Sequence, residues 1–125
     1  MARVRIVLDT GVLWRPGAMD QIAQMDVPLV LPAVAFMERA RQVRRDGGDV
    51  ARFRAWLERM HIGVEPFAES EAERIAVRLV DDRVWRRLVR DAMIAGHVRK
   101  DDLLYTTNPK DFVRVGLDPD RIVGV

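Results

Sequence analysis

Short unbroken apolar runs alternate along the chain with stretches in which apolar residues return every third or fourth position. The runs predict strands at Arg5 to Leu8, Val27 to Leu31 and Leu103 to Tyr105, with Ile62 to Val64 a weaker candidate and Arg121 to Val125 an edge strand. The longer spacing predicts helices. Pro16-Gly17 breaks the chain, and Ala18 to Met25 follows as a short helix. Pro32 sits where a helix begins, because its missing N–H costs nothing in a first turn; that helix runs to about Arg45 and stops before Gly47-Gly48. Asp49 can cap the next helix, with its stripe of Val50, Phe53, Leu57 and Met60. Ser70 and Glu73 have the spacing of a capping box and open a helix with Ala72, Ile75, Ala76 and Leu79 inward. Asp81 or Asp82 caps a long helix reaching His97 or so, with Arg99 and Lys100 at its C-terminal end, where the dipole favours cations.

Strands that alternate with helices imply a parallel sheet covered on both faces, an α/β architecture. At 125 residues the chain is expected to be one domain, residues 1–125, large enough to bury one core. There are no repeats, low-complexity tracts or Ser/Gly linkers. No run of eighteen apolar residues occurs, so no membrane span is expected, and MARVRIVLDT carries an acid too early for a secretory signal. Without cysteine there is no disulfide, thiol nucleophile or zinc-thiolate site, and the chain reads as cytoplasmic. The net charge of +2 is small, but nineteen of the 21 cations are arginine, whose fork suits phosphate. A GC-rich genome or thermal adaptation gives the same bias, so composition permits a nucleic-acid partner without establishing one.

The chemistry collects where strands end. In open α/β sheets, ligands bind beyond the carboxyl ends of the strands. Asp9 ends the first strand, in VLDTG. Glu38 falls in the second turn of the helix after the second strand, and Asp111 lies in TTNPKDF after the third clear strand, which reads as a loop. Asp91 sits mid-helix in the row Val84, Leu88, Asp91, Ala95, Val98, where it is the one ionisable group on a core-facing stripe. A buried lone carboxylate costs several kcal/mol unless it is protonated, paired or bound to a metal. An arginine could face it. Its convergence with Asp9 at one sheet edge favours a cation. Each acid also has an ordinary use: Asp9 in a turn, Glu38 in solvent or paired with Arg41 or Gln42, Asp111 in the turn Asn-Pro-Lys-Asp, and Thr10 and Asn108 have turn roles too.

A carboxylate cluster without cysteine or paired histidine suits Mg²⁺ or Mn²⁺ better than Zn²⁺. Such a cluster can activate water and neutralise charge on a phosphodiester. There is no phosphate loop, Gly-rich dinucleotide turn or nucleophile elbow; Ser70, the lone serine, reads as a cap, and His61 and His97 read as surface groups at helix ends. Asp9-Thr10-Gly11 also matches the catalytic loop of a dimeric aspartic protease. That fold is built almost wholly of strands, and Val12, Leu13 and Trp14 stand where a small residue usually follows, so the protease is a remote alternative.

Four segments, IVLDTGVL, LPAVAFMERA, DAMIAGHV and LLYTTNPKDF, resemble in order and spacing the PIN-domain family, most closely the short VapC-type toxin ribonucleases, over almost the whole chain. The resemblance implies an α/β/α sandwich on a central parallel sheet and Mg²⁺- or Mn²⁺-dependent cleavage of RNA. It implies Asp9 and Asp91 as principal metal ligands, Glu38 as the third acid, Asp111 or Asn108 at the fourth position, and Thr10 and Thr107 holding waters or ligands around them. A homodimer and a cognate antitoxin are the implied partners. The alternative within the resemblance is a non-toxin RNA-processing nuclease, or a domain that binds RNA without cutting it. Gly11 stands where the family more often has a polar residue, and Gly96 and His97 replace small residues usual after Ile-Ala. Arg86, Arg87, Arg90 and Arg99, along the Asp91 helix, are candidate RNA contacts.

Overall fold

The computed structural model describes residues 4–78 and 80–125. Five strands, β1 (Ile6–Leu8), β2 (Leu29–Pro32), β3 (Ile62–Glu65), β4 (Leu103–Thr106) and β5 (Ile122–Gly124), pair in the order β3-β2-β1-β4-β5. Every pairing is parallel. Between them run α1 (Pro16–Ala23), α2 (Ala33–Arg45), α3 (Val50–Arg59), α4 (Glu69–Ala76), α5 (Asp82–Ala95) and α6 (Pro109–Arg114), with 3-10 turns at Thr10–Trp14 and Pro119–Arg121. This is the expected α/β/α sandwich on a central parallel sheet. It excludes the aspartic protease, whose strands would leave no place for helices of this length.

The inner strands show why the runs are unbroken. Every residue of β1 and β2 is buried, as strands covered on both faces require. β4 alternates: Leu104 and Thr106 are buried, Leu103 and Tyr105 half-buried. The order steps one way from β1 to β2 to β3 and the other way from β3 to β4 to β5, so the right-handed crossover rule assigns α1, α2 and α3 to one face and α4, α5 and α6 to the other. The packing of α2 on α3, α4 on α5 and α5 on α6 agrees. Strand order reverses between β1 and β4, the point at which doubly wound sheets open a crevice past their strand ends. Contacts between α2 and α5, from opposite layers, must therefore pass beyond those ends. The core is dominated by Ile6, Leu8, Ile22, Leu31, Leu57, Ile94, Leu104 and Phe112, all fully buried. Each contributes about 1.5–3 kcal/mol.

Several boundaries differ from expectation for identifiable reasons. The first helix starts at Pro16 rather than Ala18, because proline fits its first turn, and ends at Ala23. Pro32 closes β2 and precedes α2 instead of opening it; its φ/ψ of −56°/143° is extended. Of the box predicted at Ser70 and Glu73, only the returning half forms, two residues earlier: the Glu71 carboxylate accepts from the Ala68 N–H at 2.9 Å, and Ala68 has no side-chain acceptor to complete it. α5 stops at Ala95, short of His97, and its backbone leaves helical geometry at Leu88. The TTNPKDF loop is partly helix, with Pro109 in the first turn of α6. The expected inward Leu79 lies outside the described residues. Among them, no helix is long and apolar enough to cross a membrane.

Candidate active site

Asp9 leaves β1 at the reversal point. Its backbone N–H still bonds the Tyr105 carbonyl of β4 at 3.0 Å, which fixes its side chain beyond the strand ends. One carboxylate oxygen accepts the Thr10 N–H at 2.8 Å, and the other accepts the Thr106 hydroxyl at 2.8 Å. Burial pushes the Asp9 carboxyl up from its ordinary value, against those two hydrogen bonds and the charge of Arg90. Glu38, on α2, is bound by Arg90 of α5 at 2.8 Å. Burial raises its carboxyl too, and the charge of Asp9 adds to the rise, while Arg90 and the Thr10 hydroxyl oppose it. That hydroxyl is buried and closes no hydrogen bond of proper geometry, so an unsatisfied oxygen sits beside Asp9 and Glu38.

Asp91, half-buried on α5, is pushed up to about 6. Burial is the largest cause; the charges of Asp9, Asp111 and Glu38 follow, with Arg90 pulling the other way. Four acids, one just past the end of β1 and the others on α2, α5 and α6, thus share one electrostatic field. Among the described residues Asp91 makes no ion pair, so the arginine partner that the sequence allowed is not there. Asn108 donates to Asp111 at 2.5 Å through its side-chain amide, and Arg114 lies 3.8 Å from the same carboxylate. The two candidates for the fourth position therefore touch each other.

Of the supporting residues, Thr106 escaped the sequence reading. It donates to Asp9 and also accepts the Asn108 N–H at 3.0 Å. The strand alternation pointed to it, had the strand been extended by one residue. Thr107 makes no hydrogen bond to the acids among the described residues; it packs against Gly11, where a Cβ would meet its hydroxyl oxygen at 2.5 Å. That close approach is the local reason for glycine after Asp9-Thr10. Of the four arginines, Arg90 is bonded to Glu38, Arg99 lies 3.5 Å from Glu65, and Arg86 and Arg87 are exposed on α5.

A second polar cluster was not anticipated. His97 is fully buried, contrary to the surface position expected, and its Nδ1 lies 2.7 Å from Glu65. Ligand atoms of Glu65, Glu71 and His97 all fall within 4.8 Å, the donor types a metal takes. Their charges are already answered. Arg5 reaches Glu65 at 2.6 Å and Asp102 at 2.8 Å, and Arg74 reaches Glu71 at 2.8 Å. Burial pushes the Glu65 carboxyl up, but bonds from Arg5 and His97 outweigh it and hold it below its ordinary value. Gly96 permits the packing here, since a Cβ would sit 2.8 Å from the Glu71 carbonyl oxygen.

All-oxygen donors, a carboxylate without a counter-cation and an unsatisfied hydroxyl make the Asp9 cluster the better fit for a hard divalent ion. The family model described as PIN domain matches residues 6–117. No curated protein sequence matches significantly. Among solved structures, a chain of a toxin-antitoxin complex from Klebsiella pneumoniae superposes with a TM-score of 0.69 at 19% identity, covering 94% of this chain and 95% of that one. At that identity the likeness is one of fold.

Proposed function

The chain belongs to the PIN-domain family, and from that premise we propose that it is a Mg²⁺- or Mn²⁺-dependent endoribonuclease, the toxin half of a VapC-type toxin–antitoxin pair. The observation that carries the reading is Asp91, pushed up to about 6 by burial and three neighbouring acids and left without an ion-pair partner among the described residues. A site that accumulates negative charge at its own expense is built for a cation. In this proposal Asp9 and Asp91 hold the metal with Glu38, and Asp111 or Asn108 completes the set. Bound there, the ion would polarise water and neutralise the phosphodiester during in-line attack.

The chain's own residues do the positioning. Thr106 and the Thr10 N–H fix both oxygens of Asp9, so its carboxylate is oriented before any ligand arrives. Arg90 holds Glu38 and tempers the acidic field. The buried Thr10 hydroxyl is free to bond a water or an RNA oxygen, and Thr107 packs against the neighbouring Gly11. Arg86 and Arg87 offer exposed cations to the RNA backbone. We assign all of residues 1–125 to this domain, place it in the cytoplasm, and expect a homodimer and a cognate antitoxin. Likeness to a chain of a toxin-antitoxin complex supports the partner. Without an antitoxin gene alongside, an RNA-processing role would replace the toxin role.

Cleavage of end-labelled RNA by the purified protein, with Mg²⁺, Mn²⁺ or EDTA and beside Asp9→Asn, tests this. Metal-dependent cutting lost in the variant is expected. Cutting that survives both EDTA and Asp9→Asn overturns the proposal.

A further inference from the structure

Trp14 ends the 3-10 turn that begins at Thr10, directly after Asp9, and 47% of it is exposed. A large indole on a surface is ordinarily a liability. This one has a partner. The guanidinium of Arg39 stacks over the ring at 3.1 Å from its centroid. Arg39 is the residue after Glu38 on α2, so the two halves of the stack grow from the two backbone segments that carry acids of the candidate active site. The five steps of 3-10 turn from Asp9 to Trp14 rise roughly 10 Å, a reach of one to two nucleotides of an extended strand.

The surroundings are cationic and concave. Arg39 also lines a hollow of about 350 Å³ with Leu13, Val43, Asp49, Arg52, Phe53 and Trp56. Among the described residues, neither Arg39 nor Arg52 makes an ion pair within 4.0 Å, so neither charge is answered by a carboxylate; Arg52 is exposed and Arg39 half-buried. Asp49 is the one acid of the hollow, and it is turned to its own helix, accepting the Ala51 N–H at 2.9 Å. An aromatic ring backed by a guanidinium, with unpaired arginines around it, is the chemistry that binds unpaired nucleotides: bases stack on the ring or the guanidinium plane and cations take the backbone.

We propose that Trp14 and Arg39 form a stacking platform for one unpaired base of the RNA, next to the scissile phosphate, with Arg39 and Arg52 holding the adjoining backbone. The inference rests on the nuclease reading and adds to it a requirement for single-stranded substrate at one position. Trp14 and Arg39 are positioning residues, since neither reaches the reacting atoms.

The experiment is a cycle between protein and RNA. A single-stranded oligonucleotide is scanned with an abasic site, one position at a time, and binding to the full chain carrying Asp9→Asn is measured with Mg²⁺ present. The same scan is run with Trp14→Ala and Trp14→Phe added. Base–aromatic stacking predicts an abasic penalty of about tenfold at one position. Trp14→Ala should erase that penalty and Trp14→Phe should keep most of it. A merely structural tryptophan would weaken binding equally at every position. An abasic penalty unchanged by Trp14→Ala, with RNA still bound and cut by the unmodified chain, overturns the platform alone. Failure of every variant and of the unmodified chain to bind or cut RNA overturns the platform and the nuclease reading together.

Discussion

Replacing Asp91 by asparagine should stabilise the metal-free protein. The Asp91 carboxyl is pushed up from 3.8 to about 6, first by burial and then by Asp9, Asp111 and Glu38. A gap of that size corresponds to roughly 3 kcal/mol. Asp91 is only half-buried, so solvent screening leaves about 1–2 kcal/mol. The folded chain holds this proton more tightly than the unfolded chain. Ionising Asp91 therefore costs stability: nothing below about pH 4, progressively more up to about pH 6, and the full amount above. The neutral amide of the variant would carry no such cost at any pH.

Urea unfolding in EDTA reads the difference. Near neutral pH, Asp91→Asn should be the more stable protein by about 1–2 kcal/mol, and the advantage should shrink as pH falls toward 4. Saturating Mg²⁺ should reverse the order. A ligand at a hundredfold its Kd adds about 2.7 kcal/mol to the protein that binds it, and the variant lacks a ligand oxygen with full charge. Loss of more than about 1 kcal/mol in EDTA at neutral pH would refute the reasoning. Such a loss would mean that a cation of the protein compensates Asp91 and that no metal is needed.

Three further outcomes follow from particular contacts. Thr106→Val removes the hydroxyl that donates to Asp9 at 2.8 Å; metal-dependent RNA cleavage should fall ten- to a hundredfold, as expected for a bond to a charged group, and Thr106→Ser should restore most of it. Glu65→Ala strips Arg5 and buried His97 of their shared carboxylate while Arg5 keeps Asp102; chemical denaturation should show a loss of about 1.5–3 kcal/mol, with cleavage per folded molecule unchanged. Gly11→Ala drives a methyl group onto the Thr107 hydroxyl and should cost about 0.5–1.5 kcal/mol through a displaced rotamer, a cost that Thr107→Ala in the same chain should cancel in a double-mutant cycle.

The parts of the fold that were legible in the sequence share one property: their pattern is set locally. Ile6–Leu8 and Leu29–Leu31 are continuous apolar runs because both sheet faces bury them, and the α3 stripe repeats because one face of a helix packs inward. Asp9, Glu38 and Asp91 could be singled out because strand ends and helix faces are read from spacing. What was not legible depends on contacts between distant positions. His97 looked like a surface residue at a helix end, yet it lies under Glu65, 32 positions away. Glu71, rather than Glu73, caps α4 because its carboxylate also serves Arg74 and Ser70, a choice made by packing against Gly96. No periodicity reports such partners.

The two charged clusters of this chain separate structural from functional carboxylates by their electrostatics. Around Arg5, Glu65, Glu71, Arg74 and Asp102, each acid has a cation within 2.8 Å, and the carboxyls of Glu65 and Glu71 are held below their ordinary values. That cluster lowers its own energy and needs nothing further. Around Asp9, Glu38 and Asp91 all three carboxyls are raised, and the one nearby arginine, Arg90, is bonded to Glu38 and offsets only part of the rise at the other two. Proximity of ligand atoms favours the first cluster as a metal site, whereas the balance of charge favours the second. Charge balance is the better guide, because a divalent ion entering the first cluster would have to displace two guanidiniums from carboxylates they already satisfy. In the second, an entering ion would relieve repulsion that the fold maintains at a cost, and folding and metal binding should be coupled there and only there.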